Sequence, residues 1–216
     1  MDRHLEAEAL RARLRHVYWI GGGSGAGKSV TARRLAAAHG LRLYSTDDVM
    51  ADHGGRSTPE DSPMLAEFKA MDMDERWLNR SPDVMLATFH WFRGEGFGLI
   101  VEDLLEFARE PPVIAEGFRL LPRLVQPLLA APSHAVWLLP TPAFRRAALA
   151  ARGSLWGIAG RTSDPGRALQ NLLERDRLFT DRLWEETKHL GLSAIEVSEG
   201  MAEEDLAARV SDALQL

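Results

Sequence analysis

The chain has no cysteine, which excludes disulfides, thiol catalysis and cysteine-ligated zinc. Lys28, Lys69 and Lys188 are its only lysines, so arginine carries almost all of its positive charge. That charge is not in excess: 26 basic residues face 31 acidic ones, for a net charge of -5. The balance argues against nucleic acid as the main partner. No run approaches the ~20 apolar residues that a membrane span requires. The opening MDRHLEAEALRARLRH mixes acids and bases and lacks an apolar stretch, which predicts no signal peptide and a cytoplasmic protein. There is no internal repeat and no low-complexity tract.

What is present is enough for a sizeable core: 216 residues, 45% of them hydrophobic, fit one α/β domain. The stretch that organises it is GGGSGAGKS. Gly22 to Ser29 fits G-x-x-x-x-G-K-[ST], with Gly22, Gly27, Lys28 and Ser29 at the fixed positions. Val17 to Ile20 before it is short, apolar and β-prone; Ser29 to His39 after it has helical spacing and stops at Gly40. Strand, glycine loop and helix together make a phosphate cradle. Glycines let the backbone N–H groups turn inward, and the helix adds its positive end. Lys28 supplies a mobile cation, and the Ser29 hydroxyl can ligate Mg²⁺. The expected donor-binding residues are Gly22, Gly23, Ser24, Gly25, Ala26, Gly27, Lys28, Ser29 and Val30.

Further strands are predicted at 41–44, 113–115, 135–139 and 195–197, each followed by helical pattern. The alternation predicts a parallel, five-stranded sheet covered on both faces, a three-layer α/β fold. A short amphipathic helix is expected over 5–15 and a loop over 52–63. Residues 61–109 read as a helical insert, its aromatics core rather than ligand cage. The glycine-rich 153–165 reads as a mobile lid.

In an open parallel sheet, ligands sit beyond the carboxyl ends of the strands. Asp47-Asp48 and Glu116-Gly117 fall at such ends, beside the glycine loop. Such an acid can hold Mg²⁺ or accept a proton from an attacking hydroxyl. Asp47 is the favoured base, Asp48 its neighbour and a rival for the role, with a helix N-cap as the plainer role for Asp48. Glu116 is expected to support metal or acceptor. Arginines bracket the lid, and planar guanidinium donors stabilise a transferring phosphoryl group. Arg161 and Arg175 are the candidates for that task. Arg93, Arg76 and Arg119 are candidate anion contacts for the acceptor.

These motifs resemble the small-molecule kinases of the P-loop superfamily, in the branch of nucleoside monophosphate, shikimate and gluconate kinases. GGSGAGKS with VTARRLA is similar to that branch's first loop and helix. YSTDD resembles the segment where those kinases place an aspartate on the acceptor. ERDRLF, Arg175 to Phe179, resembles their Arg-x-x-x-aromatic element, and Arg161 in RTSDP falls where they carry a lid arginine. The resemblance implies a P-loop NTPase fold and ATP- and Mg²⁺-dependent transfer to a small hydroxylated acceptor, by a monomer or homodimer. In it, Lys28, Asp47, Arg161 and Arg175 would be catalytic; Asp47, Asp48, Arg93, Glu116 and Arg119 would bind acceptor; Ser29 and Glu116 would bind metal. The insert matches no acceptor pocket of the branch, so the acceptor stays open. The alternative is a nucleotide-dependent switch that binds a protein.

Overall fold

The computed structural model describes the backbone of residues 3–152 and 154–216, and the side chains of 8–148 and 157–216. In chain order, α1 (Arg3–Arg13) leads to β1 (Val17–Gly22), α2 (Lys28–His39) and β2 (Arg42–Ser45). Five short helices follow: α3 (Met50–Arg56), α4 (Pro63–Ala70), α5 (Met73–Trp77), α6 (Pro82–Thr88) and α7 (His90–Arg93). Then come α8 (Phe97–Glu106), β3 (Val113–Glu116), α9 (Pro122–Val125) and β4 (Ala135–Pro140). The chain ends in α10 (Pro142–Arg152), α11 (Ser154–Ala159), α12 (Pro165–His189), β5 (Ser193–Val197) and α13 (Glu203–Leu214).

The sheet has five parallel strands in the order β2-β3-β1-β4-β5. Its strands alternate between two cores, as a period of two requires. Trp19, Ala115, Trp137 and Leu139 face one side with Ile100, Leu104, Val125 and Phe179 from α8, α9 and α12. Ile20, Ile114, Val136 and Leu138 face the other with Ala32, Leu206 and Val210 from α2 and α13. Both faces are covered at the central strands β1, β3 and β4, which is why these are almost wholly apolar, whereas the edge strands β2 and β5 carry Arg42 and Glu196. A third, smaller core joins Trp77 and Leu78 of the insert to Ala159, Ala168 and Leu172.

Two segments differ from expectation. Residues 50–56 are helical, although Gly54 and Gly55 lower the propensity. Tertiary contacts override it: the His53 ring is fully buried against Asp103, and Arg56 donates to the same carboxylate. The lid segment is also largely helical, as α11. Its Gly153 lies outside the described residues, as does the Trp156 side chain. Its second half is fixed rather than loose. Ala159 is buried, and Ser163 donates from both N and Oγ to the Asp74 carboxylate of α5.

Candidate functional site

The glycine loop leaves the carboxyl end of β1, the middle strand of the sheet. Gly25 and Gly27 adopt φ of 77° and 83°, a left-handed region that side chains resist and that turns successive N–H groups to one side. Gly27 is the N-cap of α2, so the N–H groups of its first turn remain outside the helix ladder. Lys28 is buried, and its Nζ donates to Gly23 O at 2.7 Å. Ser24, Ser29 and Val30 are half-buried, and Ala26 anchors the loop in the core. Two helices wall the loop. A Cβ built on Gly23 would meet Thr180 Oγ1 of α12 at 2.7 Å, and one on Gly25 would meet the Ala148 Cβ of α10 at 3.6 Å.

Strand register sets the acids beside this loop. Glu116 ends β3 opposite Ile20 of β1 and Ser45 of β2. It therefore stands two residues from both Gly22 and Asp47 in register. Its side chain is buried, and Oε2 has no hydrogen-bond partner among the described residues. The strand ends are in close contact: at Gly117, with φ of 148°, a Cβ would fall 1.7 Å from Thr46 Oγ1. Thr46 Oγ1 is itself buried without a partner. Asp47 and Asp48 lie in the exposed turn that follows β2. Val49, not Asp48, is the N-cap of α3, and no side chain caps it. Both carboxylates have no hydrogen-bond partner among the described residues.

Arg119 closes the far side. Its guanidinium is buried, stacks 4.1 Å above the Trp91 ring, and donates to Thr46 O and Gly96 O. Among the described residues Nε has no partner, and no carboxylate pairs with the group. Burial pulls its pKa down to about 10, against the pull of Tyr44, Asp47 and Asp103. His90 next to Trp91 is pushed down to about 3 by burial, with Arg119 adding to the shift. Thr46, Asp47, Glu116 and Arg119, with Trp91 beneath Arg119, thus gather at the ends of β2 and β3.

Sequence reasoning missed the support beneath it. Asp103 of α8 accepts from Tyr44 OH at 2.7 Å, meets His53 Nε2 at 2.7 Å and accepts from Arg56 at 3.0 Å. The bonds hold the Asp103 carboxyl below its ordinary range despite burial. They fasten β2 and α3, on either side of the Asp47 turn, to α8. The missing signal is distance: Tyr44 and Asp103 are 59 residues apart.

The other arginines are dispersed. Arg93 is exposed at the end of α7. Arg76 is occupied with the carbonyls of Phe68 and Lys69. Arg175 is buried, between Asp176 and the rings of Trp77, Phe89 and Phe92. Arg161 is exposed, before the N-terminus of α12. Pro165 and Thr180 are 15 residues apart on α12. At 1.5 Å per residue, that is about 22 Å from the helix start to the loop. The structure does not bring Arg161 to the loop.

No group of three or more His, Asp or Glu residues forms a metal cluster among the described residues. The oxygens of Ser29 and Glu116 are of the hard type that Mg²⁺ takes alongside substrate phosphates. No helix among the described residues is long and apolar enough to cross a membrane. Comparison of the chain with protein-family models and with curated proteins finds no match.

Proposed function

We propose that the chain is a P-loop kinase: it transfers the γ-phosphoryl group of ATP to a hydroxyl of a small acceptor. The observation that carries this reading is register. The loop with Lys28 and Ser29 and the orphaned Glu116 carboxylate share one end of the sheet with Asp47. Loop N–H groups and Lys28 bind the donor phosphates. Ser29 and Glu116 would hold Mg²⁺, which when bound neutralises charge on the phosphates. Asp47 takes the proton as the acceptor oxygen bonds to phosphorus; the bond to the bridging oxygen breaks, and ADP leaves with the electron pair. Asp48, Thr46 and Arg119 line the acceptor side. Of Arg161 and Arg175, Arg175 is the nearer to the loop, five residues before Thr180 on α12. Arg161 would serve only after the α11–α12 turn has moved.

The test is ADP formation from ATP and Mg²⁺, alone and with pooled sugars, sugar acids, nucleosides and aminoglycoside-like alcohols. Acceptor-dependent ADP, with a phosphorylated product, supports the kinase. Slow hydrolysis that no acceptor accelerates overturns it in favour of a nucleotide switch.

A further inference from the structure

A second feature lies on the other side of the α10–α12 wall. There the two helices enclose a cavity of about 240 Å³, lined by Pro140, Arg145, Arg146, Leu173 and Thr180, among others. It is smaller than the roughly 300–1,000 Å³ of a drug-sized ligand pocket, which suits a small ion or a metabolite fragment. Thr180 and Pro140 also back onto Gly23, so the cavity adjoins the glycine loop without being part of it.

Charge is what makes it a site. Arg145 is 3% exposed and donates from one Nη to Asp176 Oδ2. The other oxygen of the same carboxylate accepts from Arg175. One buried carboxylate thus serves two buried guanidinium groups, and one positive charge is left over. The Nε and second Nη of Arg145 are buried without a partner among the described residues. Buried donors left unpaired are costly, and an unbalanced buried charge more so. At the mouth, Arg177 pairs with Glu174 and Asp181, one guanidinium to two carboxylates, so the surplus positive charge of the cavity depends on Arg146 as well. Arg146 is exposed there and has no ion-pair partner among the described residues.

We propose that this cavity is a second anion site, which takes a phosphate-class anion: inorganic phosphate or the phosphoryl group of a small phosphomonoester. Arg145 supplies the buried charge and the unpaired donors, and Arg146 the outer cation, while the Thr180 hydroxyl is spent on Asp176 O. Such an anion balances the two-guanidinium, one-carboxylate triad. α10 leads into the 153–165 segment and α12 leaves it, so an occupied site also braces the two stems of that segment. The inference rests on the triad and the cavity and is independent of the kinase reading.

Titration calorimetry at constant ionic strength tests it, with inorganic phosphate, glycerol phosphate, sulfate and chloride as probes. Wild type with the loop saturated by Mg²⁺–ADP, and Lys28→Ala without nucleotide, should each bind one phosphate. Arg146→Ala should bind it about tenfold more weakly, the effect of one lost charge-assisted contact, while its ADP affinity is unchanged. Tighter binding of glycerol phosphate assigns the site to a metabolite; equal or weaker binding assigns it to free phosphate. No phosphate binding by Lys28→Ala, undiminished binding by Arg146→Ala, or equal affinity for chloride would each overturn the proposal. Loss of ADP binding in wild type would instead count against the donor loop and leave this site standing.

Discussion

Lys28 is held within the glycine loop, with Nζ 2.7 Å from Gly23 O. To reach phosphate it exchanges a carbonyl for an anion, which is the stronger partner. Lys28→Ala should therefore fold normally, weaken ATP binding and lose most of the transfer activity, as fluorescence titration and ADP release would report. Wild-type turnover in the folded variant would mean that the loop is not the donor site. Asp47 and Asp48 offer a sharper contrast, because neither caps α3. Asp47→Asn should keep ATP affinity and lower turnover by about 10²–10⁴-fold, the range for a lost general base. A large loss in Asp48→Asn with none in Asp47→Asn would move the role by one residue. These residues were legible in sequence because each acid follows a short apolar run, and a parallel sheet places such ends together. The buried Arg119 could be named, but not its seat on Trp91, since the ring and the guanidinium come from segments 28 residues apart in the sequence.

The central strands β1, β3 and β4 were legible for the same reason as the core: both faces are buried, so each reads as an apolar run between turn signals. α12 was legible from Pro165 at its first turn to His189 at its end. What could not be read is α3 and α11, whose helicity depends on partners far away in sequence. For α11 those partners are in the insert: Ala159 shares a core with Trp77 and Leu78, and Ser163 is fastened to Asp74. The 153–165 segment and the insert are thus joined, so any movement of one has to carry the other. Asp74→Ala should speed amide exchange at residues 160–165 several-fold while β1, β3 and β4 keep their protection, because it removes both bonds to Ser163 and touches no strand. Unchanged exchange at 160–165 would show that the hydrophobic contacts alone hold the lid to the insert.

Among the described residues, burial holds three histidines below their ordinary pKa: His16, His90 and His134. His90 is the most displaced, to about 3, with Arg119, Lys69 and Arg76 adding repulsion to its desolvation. In the unfolded chain it titrates near 6.5, the ordinary value of histidine. Between those two values the unfolded state binds a proton that the native state refuses. Stability therefore falls as pH falls, by about 1.4 kcal/mol per pH unit for each fully displaced group. Below about 3 both states are protonated and the loss stops growing. From pH 6.5 to 5.0, above most carboxylate titrations, His90 alone should account for roughly 2 kcal/mol. His90→Gln gives up ring contacts to Phe68, Phe89 and Trp91, so it should be less stable than wild type at pH 7. Its stability should nevertheless depend less on pH, because one of the three histidines no longer takes up a proton on unfolding. Urea denaturation of both proteins at several pH values between 7.0 and 5.0 separates the two effects, since packing shifts the curve and titration sets its slope. Parallel curves would mean that His90 is protonated in the native state, and that its neighbours do not keep it neutral.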